Sequence, residues 1–206
     1  LWVEAGNPAF RVPARRAAVD GAPAGQSGRV AVAHGPTVQD VQRHALAAMS
    51  RAQSRIWLAT PYFIPSLRLR LTLLRAARRG VDVRLLLPGP ATDHPLLRYG
   101  SHHYYTRLLR GGIRIYEYQP RFIHSKTLLV DDWVSIGSCN FDRWNLRWNL
   151  EANQEVRDAP FAAEVAAMLG NDLAQSEEIS PQAWSQRLPA LRRAESALAS
   201  AGETLE

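Results

Sequence analysis

Hydrophobic and polar positions fall into blocks whose period changes along the chain. Residues 4–29 are rich in Gly, Pro, Ala and Arg and show no period, and residues 21–28 read as a linker. A strand is expected over residues 29–32. Thr37-Val38-Gln39-Asp40 resembles a capping box opening a helix, with Val38, Val41, Ala45, Ala48 and Met49 as its apolar stripe. Residues 55–60 read as a buried strand stopped by Pro61. Residues 67–73 alternate Leu with Arg or Thr, the period of a strand. Ser66 as a cap, the Ala and Arg content and the stop at Gly80 nevertheless predict a helix there. A strand over 81–87 ends at Pro88-Gly89-Pro90. A helix from Pro95 to Arg110 carries Leu97, Ser101, Tyr104, Tyr105 and Leu108 on one side, and Gly111-Gly112 closes it. Residues 113–118 are the next strand.

Strand, helix, strand, helix, strand predicts an α/β fold with a mixed, largely parallel sheet sandwiched between helices. The pattern then changes. Residues 123–140 read as a hairpin turning at Asp131-Asp132, and residues 151–156 as a further strand. One tail helix begins near Asp158-Ala159-Pro160, burying Phe161, Val165, Met168 and Leu169. Another begins at Ser180-Pro181 and is kinked by Pro189. The expected division is a linker or remnant of an upstream half over 1–28, a catalytic half-domain over 29–160, and C-terminal helices over 161–206.

The length suits one domain with a buried core. A net charge of +6 favours anionic partners: phospholipid surfaces, nucleic acid or phosphate esters. The single cysteine, Cys139, excludes an internal disulfide or a Cys-based zinc site within the chain. Apolar runs are too short for a transmembrane helix. The chain opens on Leu1 without an initiator Met, as expected of a fragment or processed piece.

Of the 25 basic side chains, one alone is lysine, Lys126. It lies in His124-Ser125-Lys126, followed by Asp131, a His-x-Lys-x4-Asp spacing, with Gly137-Ser138-Cys139-Asn140 downstream. A compact ammonium beside a histidine suits one tetrahedral phosphate better than the wide guanidinium fork. Side chains two apart on a strand share a face, so His124 pairs with Lys126 and Ser138 with Asn140. The hairpin can gather all four: an imidazole to attack or donate a proton, and three donors for phosphate oxygens. No acidic cluster suited to magnesium stands beside them, so the chemistry is expected to need no metal or other cofactor. Lys126 and the neutral donors then stabilise the transition-state charge. Glu151, opening the next strand, is the candidate to orient His124. Asp131 is the remaining catalytic candidate, with bracing of the hairpin as its natural alternative.

These residues resemble the motif of the phospholipase D superfamily. The likeness extends through Thr60-Pro61-Tyr62-Phe63-Ile64-Pro65, residues 79–89, residues 113–118 and Asn149-Leu150-Glu151-Ala152-Asn153 to the C-terminal half of bacterial cardiolipin synthases. It covers roughly residues 28–160. The resemblance implies a two-step phosphatidyl transfer through a phosphohistidine. His124 matches the catalytic histidine, Lys126 and Asn140 the phosphate ligands, Ser138 the motif serine, Glu151 the carboxylate that holds the histidine, and Asp131 a structural aspartate. It further implies an anionic phospholipid substrate, a peripheral membrane surface on the cytoplasmic side or membrane association, and a second motif-bearing half. That half would lie upstream in the same chain or in a homodimer partner.

Two departures stand out. Five residues, rather than the family's usual six, separate Asp131 from Gly137, and Trp144-Asn145 stand where relatives often carry Arg-Ser. The competing readings are a homodimeric single-motif nuclease or phosphodiesterase, and an inactive isolated half-domain. His94, Tyr62 and Phe63 are weighed as lining the site. His102 and His103 are weighed as edging a pocket, against a surface or partly buried place, and Trp144 and Trp148 as structural.

Overall fold

The computed structural model describes residues 28–34, 38–141 and 150–187. Among them the elements run β1 (Gly28–His34), β2 (Val38–Gln39), α1 (Asp40–Arg51), β3 (Arg55–Ala59), α2 (Leu67–Arg78), β4 (Asp82–Pro88) and α3 (Pro95–Arg110). They continue with β5 (Arg114–Tyr118), β6 (Thr127–Val130), β7 (Trp133–Gly137), β8 (Leu150–Arg157), α4 (Ala159–Ala174) and β9 (Ser176–Glu178). Residues 181–187 are helical again. Of the expected linker over 1–28 only Gly28 is described, and it opens β1 rather than ending a linker; the Trp144 and Trp148 readings, Asn149 and the kink at Pro189 lie outside the described residues.

The strands form one nine-stranded sheet in the order β2-β1-β8-β7-β6-β3-β4-β5-β9. The expected α/β class and mixed sheet between helices hold. The parallel share is smaller than expected: β3–β4 and β4–β5 are parallel, and the other pairings are antiparallel. Helical crossovers return the chain in the same direction through the adjacent strands β3, β4 and β5. The tight turn between β6 and β7 reverses it.

Each face of the sheet has its own core. Met49 of α1, Leu69 and Leu73 of α2, and Tyr105 and Leu108 of α3 pack over Ile56, Leu58, Val83, Leu85 and Ile115. On the other face, Ala162, Val165, Leu169 and Leu173 of α4 cover Ala59, Leu86, Tyr116, Leu129 and Val134. Met168, expected on the buried side of that helix, is exposed. Ser66 caps α2 by accepting from the Leu69 amide at 3.2 Å, and Leu69, Leu73 and Leu74 turn inward. The helical reading of the alternating segment is therefore the one the chain adopts. The expected capping box is not. Val38 and Gln39 pair with β1 as a short edge strand, and α1 starts only at Asp40, with no side-chain cap.

The hairpin turns at Asp131-Asp132, because Val130 pairs with Trp133. Asp131 takes a left-handed φ of 51°, a region that Asp tolerates better than most residues. Its carboxylate accepts from the Gln53, Ser54 and Arg55 amides at 2.9, 2.9 and 3.0 Å and from the Ser54 hydroxyl at 2.7 Å. The turn is thereby fastened to the start of β3. Partial burial pushes this carboxyl upward in pKa, but the four donors outweigh it and hold it below the usual range.

A carboxyl depressed on folding stabilises the protein above its unfolded pKa and loses that contribution as pH falls through the folded value. Asp131→Asn keeps the left-handed turn but removes the charge. We expect it to lower stability at pH 7 by about 1–2 kcal/mol, the scale of hydrogen bonds to a charged acceptor. Below about pH 4 the gap should shrink as the wild-type carboxylate protonates. Urea unfolding across this range checks both, and an undiminished gap at low pH would contradict the clamp.

Candidate functional site

The helices after β3 and β4 start beyond loops at one end of the parallel strands, and β6 begins at that same end. Its antiparallel pairing sets Thr127 opposite Ala59, the last residue of β3. The loops after β3 and β4 and the segment before β6 therefore meet at a single edge. His124 and Lys126 precede the strand itself, which starts at Thr127, so they sit on an extended approach rather than within the ladder. Their side chains still meet. The Lys126 Nζ lies 3.1 Å from both His124 Nδ1 and His124 Nε2, and donates to the His124 carbonyl at 3.2 Å. The ammonium can thus donate to whichever ring nitrogen carries no proton.

The other arm of the hairpin carries Ser138 and Asn140. Thr127 pairs with Ile136, and the Gly137 amide donates to the Lys126 carbonyl at 3.3 Å, so Gly137 lies beside Lys126. The two-residue turn leads into an unbroken β6–β7 register, from Val130 opposite Trp133 to Thr127 opposite Ile136. Gly137 is required by close approach: a Cβ there would stand 2.2 Å from the Ala152 carbonyl oxygen and 2.4 Å from Asn153 Oδ1. Asn153, fully buried on β8, donates to Ser135 Oγ at 3.0 Å and accepts from the Cys139 amide at 3.1 Å. It fixes the loop that leads to Asn140. The Ser138 hydroxyl accepts from the Ala152 amide at 3.1 Å. The Asn140 side chain is buried, and its Oδ1 has no hydrogen-bond partner among the described residues.

Lys126 is 9% exposed, whereas His124 is open to solvent. Burial lowers the Lys126 pKa, and the carboxylates of Glu151 and then Asp93 oppose that shift. Glu151 is itself buried on β8. Asp131 does not join the cluster. It stands at the far end of β6, about 16 Å along the strand from Lys126 at ~3.3 Å per residue, with its oxygens committed to Gln53, Ser54 and Arg55. Its place among the catalytic candidates is corrected to that of a brace.

Tyr62 and His94 come to the site, and Phe63 does not. The Tyr62 ring meets His124 edge-on with centroids 6.3 Å apart and His94 at 5.6 Å, and its hydroxyl donates to Asp93 Oδ2 at 2.6 Å. Phe63 is buried in the core. His102 is buried too. Its Nε2 lies 3.2 Å from Glu117 Oε1, in a network that also receives Arg98 at 2.9 Å and Tyr105 at 3.2 Å, so it edges no pocket. His103 is exposed. Sequence reasoning missed Asp93 and Asn153. Asp93 was legible only as the neighbour of His94 in a loop between prolines. Asn153 stands within the family resemblance of residues 149–153 with no chemistry in the sequence to mark its part.

Residues 45–173 match the family model described as cardiolipin synthase, PLD-like domain. The minor cardiolipin synthase of Bacillus subtilis is 40% identical over 151 residues, 73% of this chain and 38% of that protein. Cardiolipin synthase A of Pseudomonas aeruginosa is 40% identical over 135 residues, 65% of this chain and 27% of its own length. The chain thus spans roughly a third of the curated relatives it matches. The phospholipase D family member Nuc from Salmonella typhimurium superposes with a TM-score of 0.63 at 20% identity, over 75% of this chain and 99% of that one. Phosphatidylserine synthase from Haemophilus influenzae gives 0.66 at 14% identity, over 84% of this chain and 47% of the other. The last two likenesses concern the fold, and the same unit amounts to one whole chain in the first and about half a chain in the second.

Because the chain has one lysine, a ¹³Cε-lysine label gives a single signal from the site. Its titration midpoint should lie below the ordinary lysine value of about 10.4. Glu151→Gln removes a charge that holds the midpoint up, so it should lower it further. A rise on that substitution would show that Glu151 does not act on the ammonium.

Proposed function

This chain belongs to the cardiolipin synthase, PLD-like domain family, and from that premise we propose that it is one half of a phosphatidyltransferase. Its substrate would be an anionic phospholipid such as phosphatidylglycerol. The observation that carries the reading is the meeting of the Lys126 ammonium with both nitrogens of His124, alongside the Ser138–Asn140 arm. This gathers a proton carrier and anion-binding donors where a phosphodiester can sit.

In this reading the reaction has two displacements. The histidine of a second half attacks phosphorus, a P–N bond forms and the ester P–O bond breaks. His124 gives its proton to the departing alcohol oxygen. It then takes the proton of the acceptor hydroxyl, whose oxygen attacks phosphorus as the P–N bond breaks. Lys126, Ser138 and the Asn140 amide hold the non-bridging oxygens, where negative charge builds up. Glu151 serves as the carboxylate that holds a site histidine. Relatives named cardiolipin synthases at 40% identity support the substrate class.

Two arrangements of the second half remain in view. A copy of the motif upstream in a longer chain suits relatives of which this chain covers only about a third. A symmetric pair of copies suits the match to the whole Nuc chain, and would go with a nuclease or phosphodiesterase activity.

The test uses the complete protein that contains this chain, with phosphatidylglycerol vesicles. His124→Ala should reduce transfer by about 10³-fold, in the range for losing general acid–base catalysis. It should leave folding intact because the side chain is exposed. The wild-type rate should persist in EDTA. Activity in the variant within tenfold of wild type would end the proposal. Cleavage of DNA without lipid transfer would favour the symmetric reading.

A further inference from the structure

Asp93 stands where a phosphate-binding site would be expected to avoid negative charge. It lies in the loop after β4, and its carboxylate accepts from Tyr62, whose ring abuts His124 edge-on. Asp93 and Glu151 together set two carboxylates beside the only lysine of the chain. Glu151 is buried, but Asp93 is 43% exposed at the lip of the site, where a ligand arrives. Its 3.9 Å approach to His94 Nε2 is too long for a hydrogen bond, and His94 is itself 61% exposed, so solvent rather than a neighbouring cation faces much of this carboxylate.

A carboxylate in this position weakens binding of any anion, and the penalty grows with the charge of the ligand. At a half-exposed site, one unit charge changes the affinity for a singly charged ligand by about three- to tenfold, and for a doubly charged one by roughly the square of that factor. A phosphodiester carries one negative charge. A phosphomonoester carries about 1.5 to 2 near neutral pH. We propose that Asp93, held by Tyr62, is a specificity-determining residue: its charge admits phosphodiesters and turns away phosphomonoesters that Lys126 would otherwise collect. This deepens the phosphatidyl-transfer reading and rests on it. The role belongs to the charge and not to the hydrogen bond, since the bond to Tyr62 survives if an amide oxygen replaces the carboxylate.

The test follows the ¹³Cε-lysine signal that Lys126→Arg abolishes, which assigns it to Lys126 in the complete protein. Binding of glycerophosphoglycerol, a diester, and of glycerol 3-phosphate, a monoester, is followed at pH 8 through the ¹³Cε-Lys126 signal of the complete protein. Four forms are compared: wild type, Asp93→Asn, Asp93→Glu and Tyr62→Phe. Wild type should prefer the diester. Asp93→Asn should lose about three- to tenfold of that preference, mainly by tighter binding of the monoester. Asp93→Glu and Tyr62→Phe keep the charge and should keep the preference within about twofold. An unchanged preference in Asp93→Asn, or an equal loss in Tyr62→Phe, would overturn the assignment while leaving the phosphodiester site in place. Neither probe moving the signal in any of the four proteins would refute the phosphodiester site itself, and the selectivity with it.

Discussion

The register of the β6–β7 hairpin is the constraint on which the site depends. Strand side chains alternate, so a slip of one residue would turn the facing sets to opposite sides. Here the register is held at both ends. At the turn, Asp131 binds three successive amides of another segment and the Ser54 hydroxyl. At the open end, Gly137 lets β7 come against β8 at a distance no side chain would allow, and Asn153 stitches the following loop down. The chemistry of residues 124–126 and 137–140 is thus fixed by residues that have no chemical part in it. Asp131 and Lys126 belong to one sequence pattern because a strand joins them, not because they share a task.

The electrostatics of the site follow from burying one ammonium and leaving its histidine partner in water. Removing Lys126 from solvent disfavours its charge, and the two nearby carboxylates restore part of it. A guanidinium would resist deprotonation without such help. It would also spread its charge over a broad plane, where a small tetrahedral group leaves little room. The other basic positions are all arginine, which fits positions that ask only for charge and reach.

Much of this was legible in the linear chain, and the gaps have physical reasons. Apolar periodicity and end signals placed α2, α3, β3, β4 and β5, because there the local preference and the core agree. Residues 67–73 show how a cap and a stop can outweigh a period-two alternation. The failures came where tertiary contact overrode local preference. Thr37-Val38-Gln39-Asp40 resembles a helix start, yet the backbone of Val38 and Gln39 is taken up by β1. Ser176–Glu178 carries no strand signal and becomes one only because the β5 edge is open to it. The spacing of His124 and Lys126 gave their meeting, and the hairpin setting gave the pairing of Gly137 with Lys126, since hairpins convert sequence intervals into neighbours. Asp93 escaped notice because it arrives on a separate loop, more than thirty positions earlier, brought in by the order of the strands.

The sheet ends in short strands on both sides: two residues of β2 at one margin and three of β9, bearing Glu177 and Glu178, at the other. The brief β9 margin, with Glu177 and Glu178 paired to Arg187 and Arg114, is a poor template for adding a strand from another molecule. Growth of the sheet by edge-to-edge joining is therefore disfavoured at that border. If the second half proposed above joins this one, the loops that carry Tyr62, Asp93 and His124 offer it a more direct meeting place than the β9 margin. Assembly and completion of the reaction chamber would then be a single event.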